Sequence, residues 1–189
     1  MDALSHSTFA TARQKQPPCS KAIDLDVYTS FVRRLLAPRD ITVDDDTVAT
    51  LHRLTRGNTY ALQRTFNEAY TILDDGERCT PDNVATALQN VIAGKEPMFR
   101  AMVGEVPDKH KGLLIAVATE GEAQCIFSSK FVKEHKLSTP GATQHSANHL
   151  MRHGLITRRA DTYSLNDVFL ELWLRLNYTT FTLRKALTQ

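Results

Sequence analysis

The sequence predicts a mainly α fold: a helical bundle followed by a helix-turn-helix that closes with a small β-hairpin. Three observations predict it. Apolar residues recur at i, i+3 and i+4 spacing through most of residues 25–93 and again after residue 108. Caps and breakers punctuate these stripes at helical intervals. Only residues 155–159 and 162–165 alternate in polarity at every second position. The composition permits such a fold. The chain has 189 residues, 42% hydrophobic and 23% charged, enough to bury a core without cross-links and unlike a disordered or collagen-like chain.

Residues 1–24 read as irregular, because Pro17-Pro18 interrupts a polar stretch anchored only by Leu4, Phe9 and Ile23. A first helix carries Leu25, Tyr28, Phe31, Val32, Leu35 and Leu36 on one face and stops at Pro38. Asp44-Asp45-Asp46 supplies an N-cap and an acidic first turn to a second helix, with Val48, Leu51 and Leu54 inward. Arg56-Gly57-Asn58 closes it. The third helix holds Leu62, Phe66, Ala69, Tyr70 and Leu73 and ends near Asp75-Gly76. Thr80-Pro81 opens a fourth, with Val84, Ala87, Leu88 and Val91 inward. Residues 25–93 are therefore read as a bundle of about four helices. Two prolines and two glycines mark residues 94–107 as a linker.

The second domain spans residues 108–178. A helix over Lys111 to Thr119 stops at Gly121, and a short one over Ser128 to His135 turns Phe131 and Val132 inward. Thr139 caps a helix from Pro140 to about His153, which Gly154 closes. Two short strands follow, Leu155–Arg159 and Thr162–Leu165, joined at Ala160-Asp161. Asp167 then caps a last helix with Val168, Phe169, Leu172, Trp173 and Leu176 inward, and residues 179–189 remain as a C-terminal tail. Helix, helix, turn, helix, hairpin is the winged form of the helix-turn-helix.

A helix can enter a DNA major groove when its outward face is small or polar. On the helix from Pro140, the residues Thr143, Ala147, Leu150 and Met151 suit the inward face. Gly141, Gln144, His145, Asn148, His149 and Arg152 point outward behind the Thr139 cap. Asn and Gln pair with adenine edges and Arg with guanine. Arg158 and Arg159 lie where a wing meets phosphates or a minor groove, and Lys130, Lys133 and Lys136 flank the preceding helix. Residues 104–189 hold 11 Lys and Arg against 8 Asp and Glu, so the basic excess lies on this side of the chain.

Other chemistries find less support. His145, His149 and His153 repeat every four residues on one helical face, but no carboxylate lies on that helix to complete a zinc set, so they read as a polar exposed face. Asp74-Asp75-Gly76-Glu77 lacks the spaced oxygens of a calcium loop. There is no phosphate-binding G-x-x-x-x-G-K-[ST], no G-x-G-x-x-G and no G-x-S-x-G. No nucleophile, base and orienter set emerges, so neither catalysis nor a cofactor is expected of this chain alone. Cys19, Cys79 and Cys125 are odd in number and widely spaced, which predicts reduced thiols in a cytoplasmic protein. No apolar run is long enough for a membrane span, and no signal-peptide pattern opens the chain.

Several runs resemble the C-terminal part of prokaryotic AAA+ ATPases of the archaeal-type family. Tyr28-x-x-Phe31 and Thr55-Arg56-Gly57-Asn58-Thr59-Tyr60-Ala61-Leu62-Gln63 resemble the helical lid. Leu113 to Gly121, Phe131 with His135 to Thr139, and Leu150 with Gly154-Leu155-Ile156 resemble the winged helix that follows that lid. Tyr163-x-Leu165-x-Asp167-Val168-Phe169 with Trp173-Leu174-Arg175 resembles its closing strand and helix, and Phe9 to Arg13 the segment leaving the nucleotide-binding core. Thr59 stands where that family usually has proline, and Tyr60 where many lids have an arginine, with Arg64 one turn later. The resemblance implies a lid at residues 25–93 and a winged helix at 108–178. It also implies that the Walker A and B motifs would lie upstream, so that this chain binds rather than hydrolyses.

The partners expected are double-stranded DNA, a AAA+ nucleotide-binding core or another protein, with a second copy of the chain as a further possibility and no membrane. The alternative is a free-standing winged-helix transcription regulator whose N-terminal helices dimerise.

Overall fold

A computed structural model describes residues 22–188. Within them the fold is mainly α. Helix α1 (Leu25–Leu36) is followed by the two-residue strand β1 (Thr42–Val43), α2 (Asp45–Leu54), α3 (Thr59–Ile72), β2 (Arg78–Cys79) and α4 (Pro81–Gly104). The second half runs α5 (Asp108–Glu120), β3 (Ala123–Gln124), α6 (Ser129–Glu134), α7 (Pro140–Arg152), β4 (Ile156–Arg159), β5 (Thr162–Leu165), α8 (Val168–Tyr178) and α9 (Leu183–Leu187).

Most helix starts are capped by side chains, at Thr80, Thr139 and Asp167 as the sequence predicts and at Asp24, Asn58 and Ser128 besides. The Asp24, Asn58, Ser128, Thr139 and Asp167 side chains each accept backbone N–H groups of the first turn. Thr80 and Asn83 form a reciprocal capping box. Asp44 occupies the N-cap of α2 but its carboxylate turns away to pair with Arg78, 2.5 Å distant. That pair sits beside a parallel β1–β2 ladder, Thr42 with Arg78 and Val43 with Cys79, which ties the start of α2 to the start of α4.

Two expectations need correction. Residues 94–107 are not a linker over most of their length, since α4 runs unbroken for 24 residues through Pro97 to Gly104. Proline lacks the N–H that would bond Ala93. Packing outweighs that loss: Val84, Leu88, Val91, Ile92, Phe99 and Val103 form one continuous buried stripe along α4. Residues 179–189 are not simply a tail. Helix α9 returns to α2 and α4, burying Leu183 and Leu187 at i, i+4 spacing.

The remaining strands form an antiparallel sheet ordered β3-β5-β4, so the hairpin gains a third strand through Ala123 opposite Tyr163 and Gln124 opposite Thr162. One hydrophobic core runs from Tyr28 and Phe66 in the bundle to Phe99, Leu114, Leu150, Phe169 and Trp173. Across it, Arg56 donates twice to Glu171 (2.9 and 2.7 Å), whose side chain is fully buried. Burial pushes the Glu171 carboxyl up from its ordinary range, and the facing Arg56 guanidinium pulls it back down. Arg56 itself sits at φ 52° beside Gly57 at φ 65°. The turn between α2 and α3 is thereby fastened to α8.

Candidate nucleic-acid interface

Helix α7 rests on α5 and β4. Thr143, Ser146, Ala147 and Leu150 are buried, and the Thr143 hydroxyl donates to the Thr139 carbonyl (2.9 Å). Met151, expected inward, is only half-buried. Gly141, Gln144, His145, Asn148 and Arg152 are exposed along one side, where with Met151 they line an open groove of about 670 Å³. Thr139, at the helix start, is exposed too. Gln144 and Asn148 lie one turn apart, so their amides sit about 6 Å apart along the helix axis. Helix α7 carries no carboxylate.

The wing divides its two arginines. Arg158 folds back onto its own turn, donating to the Ala160 carbonyl (2.7 Å) and to Asp161 (2.9 Å) while its guanidinium lies over the Tyr163 ring. The hydrogen bond to Asp161 pushes the Arg158 guanidinium up from its ordinary value. Arg158 is thus a hairpin brace more than a free phosphate contact, which corrects the reading that treated both arginines alike. Arg159 and Lys130, Lys133 and Lys136 are exposed, and no described carboxylate pairs with them.

His149 also departs from the outward set. It is half-buried, its ring 4.2 Å from that of buried His110 on α5. His145 stacks on His110 from one side (5.6 Å), and His153 lies 4.3 Å from His149. The Ser146 hydroxyl donates to the Lys109 carbonyl (3.4 Å), leaving its oxygen 2.9 Å from His110 Nδ1 to accept from the ring. Sequence spacing showed the three α7 imidazoles on one face. It gave no sign of His110, which lies 35 residues before His145 and reaches the face only through the α5–α7 packing. Among the described residues, no group of three or more His, Cys, Asp or Glu is placed to hold a metal ion.

The order of elements from α5 to β5, with the third helix exposed and the hairpin beside it, is that of a winged helix-turn-helix. Residues 97–176 match the family model of a probable winged helix domain. The match starts within α4 and ends within α8, so it takes in the last third of α4. No curated protein and no solved structure matches the chain. None of these comparisons links it to the AAA+ ATPases it resembles. No helix among the described residues is long and apolar enough to cross a membrane. Cys79 is buried and its thiol is pushed up to about 11 by that burial, while Cys125 is exposed. The expectations that rest on Phe9 to Arg13 and Cys19 lie outside the described residues.

Proposed function

We propose that the exposed side of α7, with Arg159 of the wing, binds double-stranded DNA. One observation carries the reading: α7 offers Gln144, Asn148 and Arg152 outward with no carboxylate on the helix, next to cations that no described acid neutralises. The amides suit adenine edges and Arg152 suits guanine or phosphate. Fluorescence anisotropy of a labelled duplex across a salt series tests it. Binding should weaken as salt rises, and Arg159→Ala should flatten the slope by about one counterion. An absence of binding at low salt overturns it.

We infer further that the chain works by binding rather than by catalysis, as the lid and winged helix of a AAA+ ATPase. The support is the succession of a four-helix bundle and a winged helix, and the Thr55–Gln63 run that shapes the α2–α3 turn. The free-standing regulator keeps the same DNA face and adds a dimer. A symmetric dimer in solution with its recognition helices about 34 Å apart would favour it. Internal engagement of Arg158, Arg159 and Lys130 together would favour a protein partner; only Arg158 is so engaged, and loss of duplex binding would move the whole face to that reading.

A further inference from the structure

Two side-chain amides on α7 are left out of the fold. Amides elsewhere are engaged in it: Asn58 and Asn83 cap α3 and α4, while Asn166 donates to the Gly154 carbonyl (2.8 Å) and Asn177 to the Trp173 carbonyl (2.8 Å). Gln144 and Asn148 are exposed on the groove side of α7, and among the described residues neither side chain has a hydrogen-bond partner. His145, which follows Gln144, turns to stack on His110 with ring centroids 5.6 Å apart. Arg152 lies one turn beyond Asn148, and its Nε donates to the Asn148 carbonyl (3.3 Å), which leaves its terminal N–H groups to reach outward. Met151 gives the groove an apolar wall. Gly141 places no side chain at the groove's first turn, and a Cβ there would meet nothing within 4 Å, so that turn is open to close approach. Helix α3 carries the same two residue types at the same spacing, Gln63 and Asn67, both exposed. There Glu68 follows Asn67 and pairs with Arg64 (3.4 Å), so that face presents a carboxylate to any phosphate and its arginine is already engaged.

We propose that Gln144 and Asn148 read base sequence, and that α7 selects duplexes with two adenines on one strand separated by a single base pair. The inference rests on the DNA reading and names what that face selects. A carboxamide presents a donor and an acceptor side by side. In the major groove adenine shows the matching pair, with N7 to accept and the N6 amino group to donate. Guanine shows two acceptors there and cytosine a donor alone. The amide nitrogen therefore donates to adenine N7 while the amide oxygen accepts from N6. Spacing sets the step. Four residues advance a helix by about 6 Å, and base pairs stack about 3.4 Å apart. A helix lying along the groove thus brings the two amides over bases about two pairs apart. Thymine, the partner of each adenine, projects its methyl into the same groove, where Met151 offers apolar surface. Recognition helices touch bases with their N-terminal residues, which assigns Arg152, in the last turn, to the phosphates together with Arg159. The cations then set affinity and its salt dependence, and the amides set the choice of sequence.

The experiment mixes the full chain at low salt with a pool of duplexes randomised over their central base pairs and sequences the bound fraction. The wild type should enrich two adenines on one strand with one base pair between them. In a duplex carrying the enriched site, 7-deazaadenine at either position removes the N7 acceptor and keeps the base pair. It should weaken binding at least about fivefold, the lower end of what one bidentate contact discriminates. Gln144→Ala should lose the preference at one position and Asn148→Ala at the other, each still binding the pool with the salt dependence of the wild type. Both residues are exposed and alanine favours the helix, so neither variant should melt at a lower temperature. Replacing the α3 pair, Gln63→Ala with Asn67→Ala, should leave the enriched sequence unchanged. Pool binding with no enriched sequence, or an enrichment that survives both α7 substitutions, overturns the base reading and leaves the DNA reading standing. No binding of the pool at low salt overturns both.

Discussion

The bundle pairs most of its arginines with carboxylates, Arg34 and Arg53 excepted, while the α7 side pairs few of its cations. On the bundle, Arg33 pairs with Asp45, Arg39 with Asp75, Arg78 with Asp44, Arg64 with Glu68 and Arg100 with Glu96. On the winged helix, Lys130, Lys133, Lys136, Arg152 and Arg159 have no described carboxylate partner, and the third helix has no acid of its own. Exposed pairs contribute about 0–1 kcal/mol each, so the difference matters little to stability. It matters to function, because neutralised arginines make no external field while unpaired ones attract an anion.

That contrast can be broken at several points. The largest effect is expected inside α7. Leu150 is fully buried, and Leu150→Ala should lower unfolding free energy by about 3 kcal/mol in a denaturant melt and abolish duplex binding with it. The joint between the two regions comes next. Arg56→Ala leaves the buried Glu171 carboxylate with only the more distant Arg175 (3.9 Å) as a cation and should cost about 3 kcal/mol. Because Glu171 then lacks its main cation, its carboxyl rises further and favours the protonated form. The variant should therefore be less impaired at pH 4.5 than at pH 7, with stability falling as pH climbs between the unfolded and folded values. Full stability of the variant at pH 7 would show that the joint contributes little.

Smaller effects separate the wing arginines. Arg159→Ala should weaken duplex binding more than Arg158→Ala, which instead loosens the hairpin turn. Equal losses would mean that Arg158 leaves Asp161 for DNA. The smallest effect belongs to the bundle surface: Arg33→Ala should change stability by under about 1 kcal/mol and leave duplex affinity unchanged.

Much of this was legible in the sequence where local rules dominate. Helix periodicity, the Thr80-Pro81, Thr139-Pro140 and Asp167 caps, and the 155–165 hairpin all follow from neighbours a few residues apart. What failed depends on contacts distant in sequence. Pro97 reads as a breaker until Phe99 and Val103 are seen packed in the core. Leu183 and Leu187 look too sparse for a helix until α2 and α4 cover them. The β1–β2 and β3–β5 pairs are two residues long and leave no alternation to detect. At the candidate site, the outward positions of Gln144, Asn148 and Arg152 were predictable from helical spacing. The inward turn of His149 and the self-engagement of Arg158 were not, since His110 and the Asp161 geometry decide them.

The most direct test of the charge contrast is amide chemical-shift mapping of the labelled chain during duplex titration. The account predicts shifts concentrated in α7 and the β4–β5 turn, with the outward amides of α1–α3 unmoved. Shifts centred on the bundle, or none on α7 while the duplex is bound, would contradict it.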